Sequence, residues 1–132
     1  MKKFISKYLT SHSETRENHE DEALQTHYYK TTKDKALQAV LEVFEGGEYS
    51  ILSTSEEHGE VSVNYKGKKK AFIVASIVMV KPFRTAVDFS VSTESGGPVD
   101  FGFSRNLIIQ LNEKLKKRLP YLETSMANKL NQ

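Results

Sequence analysis

Residues 60–93 read EVSVNYKGKKKAFIVASIVMVKPFRTAVDFSVST, and the patterning of this stretch decides the fold. Val61, Val63 and Tyr65 alternate with Ser62 and Asn64, the two-residue period of a strand with one apolar face. Lys66-Gly67-Lys68 interrupts the alternation as a turn. Lys70 to Val80 then runs on as a long segment rich in β-branched residues, the composition of a buried strand. Lys81-Pro82-Phe83 ends it, because proline has no N–H to give to a ladder. Thr85 to Thr93 alternates again, with Val87, Phe89 and Val91 on one side and Asp88, Ser90 and Ser92 on the other. Such short connections join antiparallel neighbours, so the stretch predicts a meander.

Upstream, Glu48 to Ser55 holds Tyr49, Ile51 and Leu52 and reads as a further strand, joined through the turn Glu57-His58-Gly59. Before it, Leu37, Val40, Leu41 and Phe44 recur at the spacing of one helical face. Thr31 followed by Asp34 has the form of a capping box, and Gly46-Gly47 is placed to stop the helix. Ala23 to Lys30 suits a first strand. Downstream, Ser95-Gly96-Gly97-Pro98 is a turn. A last helix is expected to start near Asp100 or Ser104 and run to Leu119, with Leu107, Ile108, Leu111, Leu115 and Leu119 as its stripe and Pro120 after it. The order β-α-β-β-β-β-α predicts a two-layer α+β domain: a curved antiparallel sheet of five strands with two helices on one face.

At 132 residues the chain suits one domain, expected over 23–122, with a tail at 123–132. Residues 10–22 contain no hydrophobic side chain and read as a flexible acidic arm. Residues 1–9 place Phe4, Ile5, Tyr8 and Leu9 beside Lys2, Lys3 and Lys7, a short basic amphipathic start. No run approaches the roughly 18 apolar residues of a membrane span. The absence of cysteine excludes disulfides and thiol nucleophiles and fits a reducing compartment, so a cytoplasmic location is expected. The net charge of +2 is too small to imply a polyanionic partner by itself.

The stretch from Arg84 to Leu115 carries Val87, Phe89, Ser90, Ser92, Gly97, Asp100, Phe101 and Gly102 in a particular succession. It resembles a family of small uncharacterised bacterial domains, in which a strand of alternating Val and Ser leads through a glycine turn into Asp-hydrophobic-Gly-x-Asn at the start of the last helix. Ser104 stands where that pattern has Asn. The resemblance covers about a quarter of the chain, implies the strand-then-helix ending and a bacterial source, and brings no known activity.

No GxSxG, Walker loop, GxGxxG or HExxH is present, so neither catalysis nor a bound cofactor or metal is expected. Glu56, Glu57, His58 and Glu60 crowd one turn, which reads as a solvated hairpin end. The most distinctive element is the segment from Gly96 to Asn106. Its glycines precede a helix start whose free N–H groups favour anions, and Arg105 adds a planar donor fork. Asp100 is also a good N-cap and would compete for the same donors. The leading expectation is a non-enzymatic binding or interaction module. A small anionic or amphiphilic ligand would be held by Gly102, Arg105 and Asn106 over Phe101 and Phe103.

The alternative is a nucleic-acid or ribosome-associated protein using Lys66, Lys68, Lys69 and Lys70 together with Lys114, Lys117 and Arg118. Against it, a lysine-rich turn on an edge strand serves to block edge-to-edge pairing. A third reading is peripheral membrane attachment through residues 1–9. A free sheet edge would also let two copies pair as a homodimer.

Overall fold

The computed structural model describes residues 12–14, 24–93 and 98–124, with the backbone alone at 12–14, 98–101 and 124. The strands are β1 (His12–Glu14), β2 (His27–Tyr29), β3 (Tyr49–Ser55), β4 (Glu60–Lys66), β5 (Lys70–Lys81), β6 (Arg84–Thr93) and β7 (Tyr121–Thr124). The helices are α1 (Lys33–Val43) and α2 (Pro98–Lys116). One open antiparallel sheet runs in the order β3-β4-β5-β6-β2-β7, with β1 also paired to β6. The chain is thus α+β in two layers.

The alternation in residues 60–93 becomes the two faces of this sheet. Val61, Val63 and Tyr65 of β4, Ile73, Ala75 and Ile77 of β5, and Val87, Phe89 and Val91 of β6 are buried. They meet Ala36, Leu37, Val40 and Val43 of α1 and Leu107, Ile108, Leu111 and Leu115 of α2 in one core. Each such side chain contributes roughly 1.5–3 kcal/mol by leaving water. Their neighbours Asn64, Phe72, Val74, Ser90 and Ser92 point to the other face and stay at least partly exposed.

Two strands exceed the five expected. β1 lies in the polar stretch 10–22 expected as a flexible arm, and β7 straddles the expected domain end at 122. The register gives the physical reason. β2 pairs with β6 only at Thr85–Val87, which leaves the same edge of β6 open further along. β1 takes that edge, His12 opposite Ser92 and Glu14 opposite Ser90. Backbone groups there find ladder partners, and a polar segment can supply them without an apolar side chain.

Local details also differ from the sequence reading. The N-cap of α1 is Thr32, whose hydroxyl accepts from the Lys35 N–H at 3.4 Å. Thr31 is instead buried, and its carbonyl accepts the Thr85 hydroxyl at 2.7 Å, so the Thr31–Asp34 capping box does not form. Helix α1 ends at Phe44, and Gly46 turns the chain at a φ of 146°. Helix α2 begins at Pro98, earlier than expected, with proline near its first turn where no N–H is needed. Gly59 has a φ of 68°, and its carbonyl accepts the Ile77 N–H at 2.7 Å. A Cβ there would run into the Ile77 carbonyl, so the β3–β4 turn can dock on β5 only with glycine. No described helix is long and apolar enough to cross a membrane.

Candidate functional site

The lysine segment between β4 and β5 divides into strand ends and turn. Lys66 and Lys70 pair directly across the two strands and point with Phe72 to the face away from the helices. Lys68 and Lys69 occupy the turn itself and lean toward α2, where the Lys69 ammonium lies 5.9 Å from the centre of the Phe103 ring. The expected purpose of this turn is corrected by the topology. β4 and β5 are interior strands, so their lysines protect no edge; the edge strand β3 carries no charged residue at all.

Between the turn and the first half of α2 lies a cleft of about 520 Å³. From the helix, Phe103, Asn106, Leu107 and Gln110 line it, at the i, i+3, i+4, i+7 spacing of one face. From the sheet side come Tyr65, Lys68 and Glu48. The aromatic floor is continuous: Phe103 to Tyr65 is 6.0 Å between ring centres, Tyr65 to Tyr49 is 5.2 Å, and Tyr49 to Phe44 is 5.3 Å. Lys114 sits over the far end of this row, 5.3 Å from the Tyr49 ring. Gly67 makes the floor possible, because a Cβ at that position would collide with the Tyr65 ring and hydroxyl.

The electrostatics follow from this packing. Burial pushes the Tyr65 phenol above its ordinary range, helped by the hydrogen bond its hydroxyl donates to Glu48. Burial also pushes Tyr49 up to about 12, with Tyr65 and Glu48 adding to the effect. Both phenols are therefore neutral donors at physiological pH. Glu48 is the one acid in the lining, and Tyr65 occupies part of its acceptor capacity. What remains for a ligand is the Lys68 ammonium and the Asn106 and Gln110 amides above an aromatic and aliphatic floor.

Of the residues expected to bind a ligand, Phe103 and Asn106 line this cleft. Arg105 does not: it lies roughly 200° around the helix from Phe103, is half-buried, and is absent from the lining. Gly102 is also outside the lining, and space is open around its Cα. Gly96 and Gly97, and the side chains of Asp100 and Phe101, lie outside the described residues. The segment expected as a glycine loop from Gly96 to Asn106 is helix from Pro98 onward. Beyond the first turn its amides serve the helix ladder and are not free for an anion.

The second lysine group separates. Lys114 lies over the Tyr49 ring, outside the cleft lining. Lys116 turns the other way, 3.6 Å from Glu113 and 4.5 Å from the centre of the Tyr121 ring. Arg118 reaches Glu42 of α1 at 3.7 Å. Lys66–Lys70 and Lys114–Arg118 therefore do not merge into one basic stripe. Residues 1–9, the basis of the membrane reading, lie outside the described residues. The turn at Glu56–Glu60 is exposed around Gly59, and among the described residues no three acidic or histidine side chains are grouped to hold a metal ion.

A smaller cavity of about 70 Å³ lies on the opposite flank of α2, lined by His27, Ile109, Asn112, Glu113 and Lys116. It is far below the few hundred Å³ of ordinary ligand sites. His27 is buried there, its Nδ1–H donating to the Gln25 carbonyl at 2.9 Å. Burial, with Lys116 nearby, lowers its pKa to about 4, so the ring is neutral and structural at pH 7.

Glu48, Tyr65, Leu107 and Gln110 are cleft residues that sequence reasoning did not select. The available signal was the helical spacing of Phe103, Asn106 and Gln110 beside the apolar stripe. No protein-family model matches the chain, and a search of curated proteins finds no significant relative.

Proposed function

We propose that the chain is a non-enzymatic binding module, and that its ligand is a small anion with an apolar or aromatic part, seated in the cleft between the β4–β5 turn and α2. The observation that carries this reading is the convergence of Phe103 and Asn106 from the helix with Lys68 from the turn, over the Tyr65 ring, around about 520 Å³. That volume lies within the range of small-molecule sites. A single cation beside two neutral amides suits a carboxylate or sulfonate head, and the ring floor suits the apolar part. Among the described residues, the cleft lining holds no histidine, serine or paired carboxylates that would make a nucleophile or an acid–base couple.

Native mass spectrometry of the gently purified full chain, repeated under denaturing conditions, tests the reading. A reproducible added mass that is lost on denaturation, and is absent from Lys68→Glu and Phe103→Ala chains, is the expected result. Bare protein that also fails to take up added decanoate would overturn it.

A further inference from the structure

We infer that the helix-free face of the sheet carries a separate site for a single phosphate ester on a planar ring, the chemistry of a nucleoside monophosphate. Lys66 and Lys70 are directly opposite each other on adjacent strands. Like charges in that position destabilise a sheet. Both side chains are exposed, and neither has a described acidic partner. The arrangement protects no edge, because β4 and β5 are interior. A bound dianion between the two ammonium groups turns this repulsion into a pair of charge-assisted contacts.

The next row inward supplies the rest. The register aligns Asn64, Phe72 and Ser92 across β4, β5 and β6. Phe72 keeps 43% of its surface exposed, far more than a half-covered sheet face requires. Lysines and ring together line a hollow of about 370 Å³ on this face. Same-face residues on a strand are about 7 Å apart, so a phosphate held at Lys70 leaves an attached planar group over the Phe72 ring. Ring-on-ring stacking accepts any base, and the Asn64 amide offers both a donor and an acceptor.

The same face argues for one phosphate and against a strand of them. Moving along it away from the turn, the register passes Ser62, Val74 and Ser90 and then reaches Glu60, Ser76 and Asp88. The surface becomes acidic where further phosphates would lie. This hollow shares Tyr65 with the α2 cleft, but Lys66, Lys70, Phe72 and Asn64 are outside the cleft lining, so either site can fail without the other.

Equilibrium dialysis of the full chain against labelled adenosine 5′-monophosphate tests the inference, with adenosine, inorganic phosphate and a short oligothymidylate as comparisons. One saturable site for the monophosphate is expected, with adenosine binding much more weakly. The Lys66→Gln/Lys70→Gln chain should lose at least about tenfold in affinity, as removal of charge-assisted contacts implies. Phe72→Ala should weaken the monophosphate and leave inorganic phosphate unchanged. Both variants alter exposed positions, and circular dichroism will verify that they fold. The inference is overturned by absent binding at millimolar monophosphate, by binding indifferent to the two lysines, or by a steeply salt-dependent preference for the oligonucleotide.

Discussion

His27 shows how one residue couples this fold to pH. Its ring is buried against α2, and desolvation together with Lys116 outweighs the hydrogen bond to the Gln25 carbonyl, bringing its pKa to about 4 from 6.5. Between these values the unfolded chain binds a proton that the folded chain refuses. Stability from this group is therefore complete above pH 6.5 and falls as pH drops toward 4, by up to about 3 kcal/mol. Urea unfolding at several pH values will show whether His27→Asn has a flatter profile over this window than the parent chain; identical slopes would reject the assignment. Phe83 is another residue whose backbone sets its role. With a φ of 58° after Pro82, it occupies the turn position that usually holds glycine, and its ring is exposed. Neither feature could be read from the letters alone. Burial of one histidine among four depends on which strand it joins, and a proline break does not specify a turn type.

At the scale of elements, periodicity was the most legible signal. The alternation in β4 and β6 and the stripe of α2 from Leu107 to Leu115 survive as the buried faces of those elements, while Leu119 is buried beyond the helix end at Lys116. What periodicity could not convey was pairing made by backbone alone. β1 has no apolar pattern, and its place depends on the free length of β6 beside β2. The start of α2 was obscured for a related reason, since glycines and Asp100 look like a loop until Pro98 is seen to open the helix. Strand β3 carries the sharpest consequence. It is a seven-residue edge with no charge and no proline, and Ile51 and Leu52 are exposed on it. Edges of this kind recruit further strands unless charged. Replacing Ser53 with Lys is expected to leave thermal stability nearly unchanged while raising the concentration at which the chain aggregates or self-associates. Light scattering of both chains over a concentration series will check this, and equal onset would show that β3 is not the sticky edge.

At the scale of the whole molecule, the β4–β5 turn sets the functional layout. A run of lysines in sequence looks like a single basic patch, yet strand pairing sends Lys66 and Lys70 to one face, while the turn carries Lys68 and Lys69 toward α2. Helical rotation likewise separates Lys114 from Lys116. The candidate cleft was half legible for the same reason. Phe103 and Asn106 stood out beside a glycine-rich start, whereas Tyr65 and Glu48 join them only through the pairing of β3 with β4. Arg105, the most eye-catching cation in that segment, is turned aside by the helix it belongs to. Cleft residues from the helix layer and the sheet layer act together as one site in the proposed function. A ¹H–¹⁵N titration of the full chain with decanoate tests it most directly. Saturable shifts are expected at Tyr65, Lys68, Phe103, Asn106 and Gln110, and their loss in Lys68→Glu. Shifts that never saturate, or that gather on the opposite face of the sheet, would contradict it.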